Sequence, residues 1–195
     1  MIAAWVVRAV SAIAFVLLLP LLAWSRLPLR EFSTFTAPSQ LLAFIPGYTG
    51  ILLRRVWYKC TLQRCGDNLT VDWLGVIRLR QSKVGHRCTF GVGAWVGWVD
   101  VGDDVMTGNG VTLLSGAGQH SFSDLTRPMR EQFGEKRQLV VGNDVWIGAN
   151  ATILADVSSG TVVGAGSIVT KTFPEGNIIA GNPAKILSRR ERNSA

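Results

Sequence analysis

Histidine is scarce in this chain of 195 residues; His86 and His120 are the whole supply. A catalytic metal centre resting on three histidine ligands is therefore out of reach. Cysteine is hardly commoner. Cys60, Cys65 and Cys88 make an odd number, with neither a disulfide-framework nor a metal-binding spacing, so no metal is expected and the thiols read as reduced. Acidic residues number 13 against 20 basic ones, a net charge of +7. The surplus is not interleaved with aromatics in a stripe, which argues against a nucleic-acid partner.

Charge is almost missing from residues 2–24, "IAAWVVRAVSAIAFVLLLPLLAW", where Arg8 stands alone. As a helix this stretch would be ~35 Å long, against a hydrocarbon core of ~30 Å. Arg8 near one end can snorkel, and Pro20 would bend the helix without forbidding it. The following "SRLPLR" offers no small-x-small cleavage site, which argues against a removable signal peptide. The expectation is a membrane helix or embedded anchor. Arg26, Arg30, Arg54, Arg55 and Lys59 all lie after it, which places the bulk of the chain on the cytoplasmic side. A second apolar stretch, residues 41–59, is broken at Pro46-Gly47. It reads either as two interfacial helices with Arg54, Arg55 and Lys59 on anionic lipid, or as a helical pair packed on the protein's own core.

What the chain does have is a period of six. It runs V-G-H-R-C-T, F-G-V-G-A-W, then, after a one-residue slip near Asp100, V-G-D-D-V-M and T-G-N-G-V-T. A second block runs V-G-N-D-V-W, I-G-A-N-A-T, I-L-A-D, loses two residues near Asp156, and resumes with V-S-S-G-T-V and V-G-A-G-S-I. Neither an amphipathic helix nor a hairpin has that period. A solenoid does: each hexad supplies a short strand and a corner, the leading aliphatic points inward, and stability comes from stacking. Glycine is expected to supply the backbone freedom of the corner, and Cys88, at a small-residue position, to be buried filler.

These hexads, with "DVWIGANATIL", "VVGAGSIVTK" and "AGNPAKIL", resemble the hexapeptide-repeat acyltransferases over roughly residues 69–188, most of all their sugar and polysaccharide O-acetyltransferases. The resemblance implies an all-β solenoid, a left-handed parallel β-helix, that forms homotrimers with active sites between neighbouring subunits. The expected organisation is an N-terminal membrane helix and interfacial segment over 1–66. A catalytic β-helix follows over 67–182 with a loop insert at 115–138, and then a basic tail over 183–195. A zinc-dependent anhydrase on the same β-helix is excluded by the two histidines.

The insert interrupts the rhythm between Leu114 and Leu139 and carries "GQHSFSD". Long inserts in compact solenoids are functional or disordered. By resemblance, His120 at its start is the general base that takes the proton of the acceptor hydroxyl; imidazole, with an ordinary pKa of ~6.5, is suited to that. His86 occupies an ordinary hexad corner. Asp124 orients the imidazole, binds acceptor hydroxyls, or caps a turn. The backbone N–H of Ala149 is implied as the oxyanion donor, and Trp146 either walls the site or is a bulky corner residue. Acetyl-CoA would lie along the groove past Gly148, Ala149 and Ala165, reach Thr170 and Lys171, and place its adenine end between Pro183 and Lys185. Arg189 either meets the nucleotide phosphates or is a solvated charge. Asn109 either touches the acceptor or serves as a turn residue. Trp95 and Trp98 read as filler packed against 41–59 sooner than as a sugar platform.

Together these imply an acetyltransferase moving acetyl from acetyl-CoA to a saccharide hydroxyl in bacterial exopolysaccharide or surface-polysaccharide biosynthesis. It would sit at the bacterial inner membrane, with a saccharide or lipid-linked saccharide and membrane lipid as partners. N-acetyl or longer-chain acyl transfer is the alternative, and a non-catalytic scaffold a lesser one.

Overall fold

The computed structural model describes residues 2–116 and 118–190, with side chains from residue 9 onward. Three helices come first: α1 (Ile2–Trp24), α2 (Ala37–Ala43), entered through a π-helical turn at Phe32–Thr36, and α3 (Gly47–Thr61). Pro46 is extended and Gly47 takes φ +67°, so the chain turns back and α3 packs beside α2. The ring of Trp57 stacks on Phe35 at 6.1 Å, and its indole N–H donates to Ser39 Oγ at 2.8 Å.

The expected membrane span does not hold, and the inner-membrane placement falls with it. Among the described residues no helix is long and apolar enough to cross a membrane. α1 instead turns one flank to the protein: Ala14 and Leu18 are buried, and Leu21 and Leu22 pack against the core. The side chain of Arg8, expected to snorkel, lies outside the described residues. Of the two readings of residues 41–59, the helical pair on the protein's own core is the one found. Arg54 is fully buried, donating from Nε to Val71 O and from Nη1 to Leu42 O and Ile45 O, each at 2.8 Å. Burial holds its guanidinium below the usual arginine range. Arg55 donates to Leu69 O at 2.6 Å, and Lys59 to Asp67 Oδ1 at 2.8 Å. The cations expected on lipid headgroups are thus engaged with the protein itself.

The coils follow. The first contains β1 (Arg64–Cys65), β2 (Thr70–Val71) and β3 (Val76–Ile77); the second β4 (Lys83–Val84), β5 (Thr89–Phe90) and β6 (Trp95–Val96); the third β7 (Val99–Val101), β8 (Met106–Thr107) and β9 (Thr112–Leu113). After the insert come β10 (Leu139–Val141), β11 (Trp146–Ile147) and β12 (Thr152–Ile153), then β13 (Val162–Val163) and β14 (Ile168–Val169). Equivalent strands stack in parallel into three sheets: β1-β4-β7-β10, the column from β2 through β5, β8, β11 and β13, and the column from β3 through β6, β9, β12 and β14. Thr70 pairs with Thr89, Thr89 with Met106, and Trp146 with Val162, so coils repeat after 19, 17 and 16 residues. The slip near Asp100 and the loss near Asp156 are therefore real changes in coil length. The leading aliphatics do point inward: Val84, Val101, Val141, Ile147 and Val163 are all buried. Each such side chain contributes about 1.5–3 kcal/mol, and Cys88 fills a gap among them, wholly buried.

The hexad glycines have a different job from the one expected. A Cβ on Gly148 would collide with the backbone of Ala165 in the next coil, so coil-to-coil approach is what forbids a side chain there. The left-handed conformation falls two residues later, on Arg87, Asp104, Asp144 and Asn150, or on Gly93, Gly110 and Gly166.

The two ends of the stack are irregular. At the start, Leu74 N–H donates to Ala43 O and Ile77 N–H to Tyr58 Oη, seating α2 and α3 on the first coil. At the finish, β15 (Asn177–Gly181) joins β13 in parallel, and β16 (Ala184–Arg189) folds back antiparallel to it. Residues 184–189, expected as tail, are thus a strand, fastened by Arg190 to Asp144 Oδ2 at 2.7 Å. Residues 191–195 lie outside the described part.

Candidate active site

Three edges separate the three sheets, and they differ chemically. On the edge between the first and second sheets, the third residue of each hexad from His86's onward offers a side-chain acceptor to the coil before it. Asp67 N–H donates to His86 Nδ1 (3.0 Å), His86 N–H to Asp103 Oδ1 (2.7 Å), Asp103 N–H to Asn143 Oδ1 (2.8 Å), and Asn143 N–H to Ser159 Oγ (3.1 Å). His86 is the corner residue the hexads required.

On the edge between the second and third sheets the same ladder starts and stops. Val92 N–H donates to Asn109 Oδ1 at 3.1 Å, which gives Asn109 a turn-holding job. The next two positions are Ala149 and Ala165, which carry no acceptor. Among the described residues the N–H groups of Asn109 and Ala149 have no protein partner. Ala149 is half-buried and Ala165 exposed, so this row of donors lies at the surface of the chain. A half-buried amide with nothing to donate to is a ready oxyanion donor.

The insert leaves from the edge between the third and first sheets. Its root is tied by Arg137 N–H to Ser115 O (3.3 Å) and by the Arg137 guanidinium to both oxygens of Asp156 (3.0 and 2.9 Å). His120 pairs across an isolated antiparallel bridge with Phe133, and its side chain is exposed. Asp124 does not reach it. Asp124 Oδ1 accepts from Thr126 Oγ1 (2.6 Å) and Thr126 N–H (2.9 Å), and those bonds hold its carboxyl below the ordinary aspartate value. The turn-capping reading of Asp124 is the one found.

The remaining residues spread over the prism. Thr170 and Lys171 are exposed on the edge that also bears the insert, with Lys171 Nζ 5.5 Å from the Phe173 ring. Trp146 stands on the outer face of the second sheet, 55% exposed, beside Met106 and Val162, in a hollow of about 220 Å³ shared with Asp104, Asp144 and Arg190. Pro183, Lys185 and Arg189 belong to the β15–β16 hairpin, with Lys185 and Arg189 exposed. Gly148, Ala149 and Ala165 therefore lie together, and the hairpin continues their row, with Ala180 against Gly164, whereas Trp146 stands on the face of the second sheet and His120 on the edge that bears the insert. Trp95 offers no open platform, since Arg78 covers its ring at 4.8 Å.

Sequence reasoning passed over Gln132. It is 6% exposed and bonds through its carboxamide to three backbone groups of the insert. No period marks it, because its partners lie in an irregular loop.

Comparison with known proteins adds a family to this geometry. Residues 82–115 and 138–171 match the model for the hexapeptide repeat of succinyl-transferase. The chain is 29% identical over 175 residues to WbbJ of Escherichia coli K12, named as a lipopolysaccharide biosynthesis O-acetyl transferase, covering 76% of this chain and 89% of that one. Two solved structures share the fold: a galactoside acetyltransferase in complex with coenzyme A (TM-score 0.56, 22% identity, 84% of each chain) and a maltose O-acetyltransferase from Clostridium difficile 630 (TM-score 0.54, 21% identity, 81% and 86%). With hexads stacked into coils, an alanine-lined edge of free amides and these relatives in view, the chain carries the hexapeptide repeat and is similar to the acetyltransferases built on it.

Proposed function

We propose that the protein transfers an acetyl group from acetyl-CoA to a hydroxyl of a saccharide, an intermediate of surface-polysaccharide biosynthesis. The observation that carries this reading is the unpartnered N–H of Ala149, on an edge where the ladder closes the Val92 amide and then stops. WbbJ, similar over most of both chains, carries the name of an O-acetyl transferase, and this supplies the acceptor class.

In the reaction the imidazole of His120 removes the acceptor hydroxyl proton as the oxygen bonds to the thioester carbon. The N–H of Ala149 receives the charge that develops on the carbonyl oxygen. The carbon–sulfur bond then breaks, the thiolate takes the proton back from the imidazolium, and an ester and free thiol leave. His120 and Ala149 belong to different edges of one prism, so they meet when the insert of one copy lies over the alanine edge of the next. A homotrimer provides three such seams. The left-handed winding of the coils belongs to the same reading.

A thiol-release assay with acetyl-CoA and a panel of saccharides tests it. His120→Ala is expected to lower kcat about 10²- to 10⁴-fold, the usual worth of a positioned base. Full activity in that variant sinks the assignment of the base, and no transfer to any saccharide sinks the acceptor class.

A further inference from the structure

The insert has no core of its own. Phe122, Leu125, Met129 and Phe133 are all strongly exposed, Leu125 at 96%, so apolar packing within the chain does not shape it. Hydrogen bonds do, and they converge on one buried side chain. Gln132 Oε1 accepts from Asp124 N–H at 3.1 Å, while Gln132 Nε2 donates to Asp124 O at 2.7 Å. The carboxamide thus pairs with Asp124 through both backbone groups, as a peptide of a neighbouring strand would. It extends the His120–Phe133 bridge past the point where the chain has turned away. The second amide hydrogen of Nε2 goes to Arg127 O at 2.8 Å and closes the turn. The main chain of the same residue accepts from Ser121 N–H at 3.2 Å. On the other side of His120, Gly134 lies so close that a Cβ there would collide with Gly118 O. The segment from His120 to Asp124 is held by Gly134 and Phe133 at one end and by the Gln132 amide at the other.

We infer that Gln132 is a positioning residue for acyl transfer: its carboxamide fixes the backbone that aims the His120 imidazole. This rests on the reading of His120 as the base. The test keeps the full chain and compares Gln132→Met, which preserves length and removes every bond of the amide. A misplacement of about 1 Å in such a site costs on the order of 10²-fold. The expected result is a kcat lower by about 10- to 100-fold, with the KM for acetyl-CoA within about twofold, because the alanine edge is untouched. The chain has only two histidines, so imidazole NMR signals report each one separately. In Gln132→Met the His120 signal is expected to shift or broaden while that of His86, in its ladder, stays in place. An unmoved His120 signal with unchanged kcat overturns the proposal. If His120→Ala alone proves fully active, the base assignment fails, and the His120 signal in Gln132→Met still decides whether the amide holds that segment.

Discussion

Two edges of one prism, built from the same hexads, have opposite chemistry. Where the first and second sheets meet, His86, Asp103, Asn143 and Ser159 each accept an amide from the coil before, and the amides of Asp67, His86, Asp103 and Asn143 are satisfied without help from outside. Where the second and third sheets meet, Asn109 does the same for Val92, but Ala149 and Ala165 have nothing to offer. The fold tolerates either arrangement, since the strands and inward aliphatics are equivalent on both sides. A satisfied edge adds stability. An edge left open leaves donors for something that is not protein. The proposed function uses the place where the repeat declines to complete its own hydrogen bonds.

That contrast can be broken by completing the open edge. Ala165→Ser places a hydroxyl where Ser159 stands on the closed edge, within reach of the Ala149 N–H. The expected outcome is a kcat lower on the order of 10²-fold, the cost of losing one oxyanion donor. A melting temperature raised by one new hydrogen bond, ~0.5–1.5 kcal/mol, should accompany it. Activity falling while stability rises would be hard to obtain from a simple packing defect; unchanged turnover would show that the open amide is idle. The reverse change is smaller. Asp103→Ala removes the acceptor of His86 N–H, and denaturant unfolding is expected to show a loss of about 1 kcal/mol, with kcat unaltered. A large kinetic defect in Asp103→Ala would abolish the distinction between the edges.

The smallest effect is at the helical end. Burial pushes the Tyr58 phenol up to about 12. The unfolded chain releases that proton near 10, so the folded state loses stability as pH rises from about 10 to 12. Tyr58→Phe removes this slope and also the acceptor of Ile77 N–H, so it should be less stable at neutral pH yet flatter in alkaline thermal melts. The closed edge, with no buried phenol, should contribute nothing to that slope.

Much of this architecture was readable from the residues. The period of six fixed the coils, the inward aliphatics, the corner role of His86 and the small space filled by Cys88, because each follows from main-chain geometry repeated many times. The helices were not readable in the same way. Whether Arg54 faces lipid or three backbone carbonyls depends on what packs around it, and an apolar run such as residues 2–24 looks alike whether it meets hydrocarbon or protein. The role of the glycines was misjudged for a related reason. Close approach between coils is a tertiary fact, whereas a corner is a local one. The irregular insert drew attention to His120 by interrupting the rhythm, but gave no sign that Asp124 would close on Thr126 or that Gln132 would hold the loop.

The irregular ends of the stack have a consequence of their own. A column of parallel strands invites further copies at either end, and nothing in a hexad says when to stop. Here one terminus is roofed by helices, and at the other the last strand of the second sheet runs the wrong way and bears Lys185 and Arg189. A coil from another molecule would meet reversed polarity and positive charge there. The second sheet therefore offers a poor template for a further coil at that end.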